Sequence, residues 1–384
     1  MAVKRKPRAE RMKSLKSFIS GINKQADETI IGFGTDPEIQ EKLRIEYIPT
    51  ASLNLNAAFK GWPRSKFSIV TGDPDSGKTF RLLEDIKYNQ ELDPDFIAVW
   101  LESEHSITMD DIRMFGIDES RFVFLSITLE GGEQALDKVN AMIESGDVDM
   151  IVINSLKNVT PEKVLKSSIS KDTIAMQARM NSKFLQNAVP RLANSPAALV
   201  GVQHKSTDIN SYIPTEKMGG GLALKYDNVL TVDFARVHIN SKHPLYDLRD
   251  KYMVIRAKVL KNHCITDRNP FVKAEYTVKL GEGTDTTGEA LELALEQGVL
   301  IKGGAWIREG EKGSENVWNG VTCAWNGMAK LRAFLDETPD YVDHLKSLVT
   351  GHADSLSQTE IDKLKAIEEE EEEDIKAVEE LEVD

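Results

Sequence analysis

Between residues 45 and 282, short apolar runs of β type alternate with longer stretches whose apolar positions recur at helical spacing. The strand-like runs are Phe67-Ser-Ile-Val-Thr, Phe96-Ile-Ala-Val-Trp-Leu, Phe122-Val-Phe-Leu, Met150-Ile-Val-Ile, Ala198-Leu-Val-Gly-Val and Val229-Leu-Thr-Val. Helical stretches are expected over 78–89, 131–144 and 173–193. Alternation of this kind predicts βαβ units and a largely parallel sheet covered on both faces, because each crossover lays a helix on the sheet. Two further strands, Met253–Leu260 and Phe271–Lys279, follow without a helix between them and predict a β-meander. Upstream, Met12, Leu15, Phe18, Ile19 and Ile22 give a helical apolar spacing, and Thr29–Gly34 reads as a short strand ending in a turn. So short a segment buries little by itself and is expected to pack on another surface, such as a neighbouring subunit. Residues 285–349 read as a smaller α/β unit, with a helix over Ala329–Phe334 and another after Tyr341. The chain therefore divides by pattern into 1–44, 45–282, 283–350 and a tail at 351–384.

A length of 384 residues suits two or three domains, and 41% apolar with 29% charged residues is ordinary for a soluble globular chain. No apolar run approaches the roughly 18 residues of a membrane span, and the basic N-terminus lacks the apolar core of a secretory signal. Cys264 and Cys323 lie far apart with no metal-ligand pattern beside them, so a reduced, cytoplasmic setting is expected. The net charge of −14 argues against a nucleic-acid partner until its distribution is considered. Residues 354–384 alone carry −11, leaving −3 for the rest, which opens on a basic arm from Lys4 to Lys16. Low complexity predicts a disordered tail or a lone helix there, either an interaction tail or a solvating one.

Chemistry enters at Gly72-Asp73-Pro74-Asp75-Ser76-Gly77-Lys78-Thr79, a complete phosphate-binding loop placed after a strand and before a helix. Its glycines let backbone N–H groups converge on phosphate oxygens at a helix N-terminus. Lys78 would hold the β- and γ-phosphates of ATP, and the Thr79 hydroxyl would ligate Mg²⁺. At the end of the next strand, Glu104 is the expected residue for orienting or deprotonating an attacking water, with Glu102 as the alternative. The strand Met150–Ile153 has the form that ordinarily ends in a Mg²⁺-organising aspartate, but Asn154 stands there, an amide without the carboxylate's charge. Binding is expected to survive that exchange, and turnover to be slow.

The ordered set of Glu104-His105, Gly132-Glu-Gln-Ala-Leu, Asp147-Val-Asp-Met-Ile-Val-Ile-Asn-Ser, Gln177-Ala-Arg-Met, Gly219-Gly-Gly-Leu-Ala-Leu-Lys-Tyr, Val259-Leu-Lys-Asn and Gly303-Gly-Ala-Trp is similar to the RecA family. Among its members it most resembles phage recombinases of the UvsX type, over about Leu15 to Leu348. The resemblance implies a RecA-like P-loop ATPase core with a short N-terminal polymerisation segment and a small C-terminal α/β domain. It implies an ATP-dependent recombinase that forms helical filaments on single-stranded DNA and pairs it with duplex, aided by single-strand-binding and mediator proteins.

By the same resemblance, Glu104 is the water-activating glutamate, and Gln203 the γ-phosphate sensor, with His204 as its alternative. Phe80 joins the nucleotide site. Lys261 would reach ATP across a subunit interface, and Tyr226 would be an interface aromatic. DNA would be gripped by a first loop over 162–173, bearing Lys166 and Lys171 and followed by Arg179. A second loop, 204–218, carries Lys205, Tyr212, Ile213 and Lys217 and ends in Gly219, Gly220 and Gly221. Residue types agree: lysines meet phosphates, and a tyrosine or isoleucine can wedge between bases. The chain departs from the family at Asn154, at His263 in place of a second interface lysine, and at Asp111 in place of an adenine-stacking tyrosine. A ring helicase on the same core, or a DNA-coating scaffold that binds ATP and scarcely hydrolyses it, are the alternative readings.

Overall fold

The computed structural model describes residues 7–26, 29–127, 131–166, 173–208, 215–218, 222–241, 245–264 and 272–350. The chain forms two compact units, Met1–Glu46 and Tyr47–Asp384.

In the first unit, the helix Arg8–Ala26 buries none of its residues and exposes Leu15 and Phe18. The strand expected at Thr29–Gly34 does not form. Instead the backbone N–H groups of Ile30 and Ile31 both donate to Asn23 Oδ1, and Asn23 Nδ2 donates to the Ile31 carbonyl. A polar side chain on the helix thus satisfies peptide groups that a neighbouring strand would otherwise have to meet. A second helix, Pro37–Leu43, follows, with proline in its first turn.

The second unit is organised by a ten-stranded sheet. Its strands are β1 (Phe67–Gly72), β2 (Ala98–Glu102), β3 (Phe122–Ser126), β4 (Met150–Asn154) and β5 (Ala198–Asp208). Then come β6 (Thr215–Met218), β7 (Leu230–Val237), β8 (Tyr252–Asn262), β9 (Lys273–Lys279) and β10 (Gly283–Thr284). The order is β10-β9-β8-β7-β1-β5-β4-β2-β3, with β6 paired to the end of β5. The five pairings among β1 to β5 and β7 that build the centre are all parallel, while β8 to β10 run as the expected antiparallel meander. Helices α1 (Lys78–Leu92), α2 (Met109–Phe115), α3 (Gly132–Ser145) and α4 (Thr173–Leu192) supply the coverage.

Side-chain alternation sorts the core onto two faces. Val70, Trp100, Val152, Val200 and Val202 pack with Leu82, Leu83 and Ile86 of α1. Ile69, Leu101, Ile153 and Leu199 pack on the other side with Leu136 and Val139 of α3 and Phe184 and Leu185 of α4. A third cluster, including Leu300, Trp325, Leu335 and Tyr341, belongs to the C-terminal part. There, helices Thr286–Glu296, Met328–Glu337 and 339–350 pack with a small antiparallel sheet that includes Leu300–Gly303, Trp306–Glu311 and Ala324–Asn326.

Buried polar contacts tie α1 to β10, and the helix that follows β10 to residues 52 and 53. Arg81 on α1 is fully buried, bonded to Asp85 at 2.8 Å and to the Thr284 hydroxyl at 2.8 Å. Glu84 accepts from the Thr284 backbone, and Glu289 accepts from the Ser52 hydroxyl and the Leu53 N–H. Among the described residues, no helix is long and apolar enough to cross a membrane.

Candidate nucleotide and nucleic-acid site

β1 lies at the middle of the sheet, and its C-terminal end releases the chain into the loop that starts α1. Gly72 and Gly77 hold φ of 146° and 87°, in the region that favours glycine. At Gly72 space imposes the same choice, since a Cβ would come within 2.2 Å of the Phe234 carbonyl oxygen; at Gly77 it would meet only the end of the Ile255 side chain, at 2.4 Å, and the backbone angle makes the choice. Asp73, Pro74 and Asp75 are exposed at the rim, Ser76 and Lys78 are buried, and Thr79 and Phe80 are partly buried. Phe80 stands 5.5 Å from the ring of Phe115 on α2.

Lys78 Nζ donates to the carbonyls of Gly72 at 3.0 Å and Asp73 at 2.5 Å, and to Ser76 Oγ at 3.2 Å. Burial lowers the lysine's pKa, against the opposing pull of Glu104, Asp73, Asp233 and Asp75. An ammonium held in that way, between glycines whose positive φ turns the backbone around it, fits a polyphosphate. Its oxygens would replace the loop carbonyls as acceptors.

Strand pairing aligns the other groups beside this loop. Glu102 is opposite Asn154 across β2 and β4, and His204 is opposite Gly72 across β5 and β1. Glu102 is buried and committed. Its Oε2 accepts from Trp100 Nε1 at 2.9 Å and Asn154 Nδ2 at 3.0 Å, and its Oε1 accepts from the Glu104 N–H at 2.9 Å. Glu104 is the carboxylate left at the cleft, and its Oε1 lies 2.6 Å from His204 Nε2. Asn154 Oδ1 and Gln203 Oε1 are buried and make no hydrogen bond among the described residues. These are two acceptor oxygens at the strand ends where a ligand's donors could be met.

The polar stretch from His204 is not the plain loop its composition suggests. Residues 205–208 pair antiparallel with 215–218, as the second half of β5 against β6. No glycine or proline interrupts 204–208, so the strand continues past the sheet. Lys205 forms an ion pair with Asp233 at 3.0 Å, and Lys217 lies on β6 opposite Ser206. Lys166 pairs with Glu162 at the end of a short helix. Arg179 lines a groove of about 410 Å³ between α3 and α4, together with Lys163, Lys183, Glu133 and Asp137. Lys171, Tyr212, Ile213, Gly219, Gly220 and Gly221 lie outside the described residues.

Tyr226 is 67% exposed. Lys261 Nζ donates to the carbonyls of Lys225 at 3.0 Å and Tyr226 at 3.1 Å, and to that of Asn228. Within one chain it thus caps the helix Leu222–Asp227, and burial lowers its pKa. Asp111 closes a capping box with Thr108 at the start of α2, whose hydroxyl lowers the carboxyl's pKa. Sequence reasoning overlooked Arg81, although Arg81-x-x-Glu84-Asp85 presents an ion pair at both helical spacings.

A family model described as the RecA N-terminal domain matches residues 13–285. Protein RecA of Chlorobaculum tepidum is 30% identical over 316 residues, covering 80% of this chain and 87% of that protein. Protein RecA of Pseudarthrobacter chlorophenolicus is 26% identical over 371 residues, covering 93% and 98%. The match spans both the phosphate-loop core and, in the second relative, the C-terminal part. With its phosphate loop and aligned strand ends, the chain belongs to the RecA family of ATP- and DNA-binding recombination and repair proteins.

Proposed function

We propose that the protein is an ATP-dependent homologous recombinase, forming filaments on single-stranded DNA and exchanging its strands with duplex. The observation that carries this reading is the alignment of Gly72 with His204. It sets the phosphate loop beside the strand that runs on into the β5–β6 hairpin, so a ligand in the loop and a ligand on the hairpin act on one strand.

ATP would lie along Gly72–Thr79, with Lys78 on its phosphates and Phe80 near its base. Mg²⁺ would be held by the Thr79 hydroxyl and steadied by the Asn154 amide oxygen. Glu104 would take the proton of the attacking water, and Gln203 would sense the terminal phosphate. Lys166, Lys171, Arg179, Lys205 and Lys217 would meet DNA phosphates, Gly219–Gly221 would let the backbone come close, and Tyr212 and Ile213 would contact bases. For Lys205 that requires exchanging Asp233 for a phosphate.

The filament reading is supported by the exposed Leu15, Phe18, Ile30 and Ile31 of the first unit and by Tyr226, apolar surface that a second copy could cover. In a filament, Lys261 would turn from its own helix end to the neighbour's nucleotide. The fourfold division at 44, 282 and 350, kinship with the UvsX type and a cytoplasmic setting are part of the same proposal. The test is exchange between circular single-stranded and linear duplex DNA, with ATPase measured in parallel. Joint molecules that require ATP are the expected result. ATP binding without exchange or DNA-stimulated turnover would favour the scaffold reading that Asn154 motivates, and closed rings in electron micrographs would favour a helicase.

A further inference from the structure

Glu102 and Asn154 end neighbouring strands in register, and by alternation both lie with Trp100 and Val152 on the face that carries α1. Their side chains are therefore on the side of the sheet where α1 begins at Lys78. Glu102 Oε2 accepts from Trp100 Nε1 as well as from Asn154 Nδ2. Its Oε1 accepts from the N–H groups of Glu104 at 2.9 Å and Ser106 at 3.3 Å. Each of these partners is a donor, and the carboxylate is held by both oxygens.

That arrangement decides which way the Asn154 amide points. Nδ2 has two acceptors, Glu102 Oε2 at 3.0 Å and Ser106 Oγ at 3.4 Å. The reverse orientation would set Oδ1 against a carboxylate oxygen with no proton between them. Oδ1 is therefore turned away from Glu102. It is buried and accepts from none of the described residues. A buried acceptor without a donor is costly, and a metal-bound water is a donor that would satisfy it. The residues at this strand end thus fit a hydrated Mg²⁺ on a nucleotide's phosphates.

The same bond carries charge. A carboxylate that accepts from an amide N–H polarises the amide, so the amide oxygen becomes a stronger acceptor. We propose that Glu102 is a positioning residue that lends Asn154, through its amide, the negative charge an acid at 154 would have brought to a Mg²⁺-loaded nucleotide. The acid is moved to β2 rather than lost. This rests on the reading of the loop and strand ends as an ATP and Mg²⁺ site. Groups that orient and charge a metal's ligands from behind are worth about 10–100-fold in metal affinity.

The test measures binding of a fluorescent ATP analogue to the full chain, and takes the ratio of its Kd in EDTA to its Kd in saturating Mg²⁺. Wild type, Glu102→Gln, Asn154→Ala and the double variant are compared. Damage to the fold weakens binding in both conditions and leaves the ratio as it was, whereas loss of the relay lowers the ratio. Glu102→Gln should lower it at least about tenfold. The effect should vanish where Asn154 is already alanine, because the charge then has no amide to act through. An unchanged ratio in Glu102→Gln, or the same further loss in the double variant, overturns the proposal. If Glu102→Gln does not fold, its combination with Asn154→Asp returns the charge to position 154 and should keep the ratio within about threefold of wild type. A ratio raised about tenfold or more there would show that the charge of Glu102 does not reach the metal, and overturns the proposal equally. A wild-type ratio of one overturns the underlying reading instead.

Discussion

Asn154 stands where an aspartate is usual, and the structure explains why restoring the acid should fail. Its Nδ2 donates at 3.0 Å to Glu102 Oε2, and both residues are buried. Asn154→Asp would put two carboxylate oxygens at that separation. At an effective dielectric of about 20, like charges so placed repel by about 5 kcal/mol. Keeping a proton on one of them at pH 7 instead costs about 4 kcal/mol, from an ordinary carboxyl pKa near 4. The two routes agree, so the variant should lose about 4 kcal/mol of stability at pH 7. The sign of its pH dependence follows from the shared proton. The folded pair binds that proton more tightly than the unfolded chain, so the deficit should shrink to about 1 kcal/mol at pH 5 and grow as pH rises. Urea unfolding at pH 5 and pH 7.5 measures both. Glu102→Gln in the same chain should recover part of the loss, since an amide then again faces a carboxylate across the pair. Unimpaired stability of Asn154→Asp at pH 7.5 would refute the reasoning and show that Asn154 is not retained for Glu102.

Arg81→Ala should cost about 3–5 kcal/mol by urea unfolding, because it leaves the buried Asp85 without its cation. Burial pushes the Glu289 pKa up to about 7, so its contribution is full at low pH and is lost as pH rises through 7. Relative to Glu289→Gln, wild type should therefore weaken by up to about 3 kcal/mol between pH 5 and pH 8, and equal pH slopes in urea midpoints would contradict this. Removing residues 354–384, which carry −11, should raise duplex affinity at low salt and matter less above about 0.3 M salt. An affinity unchanged by the truncation at low salt would show that the tail does not compete with DNA.

Much of the core was legible because apolar runs such as Met150–Ile153 are buried on both faces and announce a parallel sheet. The phosphate loop was legible because the positive φ at Gly72 and Gly77 selects glycine and so leaves a fixed spacing in the sequence. Periodicity could not show where backbone groups find partners. Asn23 replaces a strand partner for Ile30 and Ile31, and nothing in the spacing of Thr29–Gly34 reveals it. Long-range pairings were equally hidden. Glu102 and Glu104 look alike in sequence, and only the neighbours Trp100, Asn154 and His204 separate a saturated structural carboxylate from one facing the cleft. Lys205 and Lys261 are expected from the sequence to reach DNA and a neighbour's ATP, yet within the chain each already has a partner, at Asp233 and at a helix end.

In the proposed function, nucleotide at Gly72–Thr79 controls the grip on DNA through the β5 strand. Fluorescence anisotropy of a labelled single-stranded oligonucleotide, with a slowly hydrolysed ATP analogue, with ADP and with neither, tests it most directly. Binding should tighten at least about tenfold with the analogue, a coupling of about 1.4 kcal/mol, and Lys78→Ala should remove the difference. Identical binding in all three conditions would contradict the account.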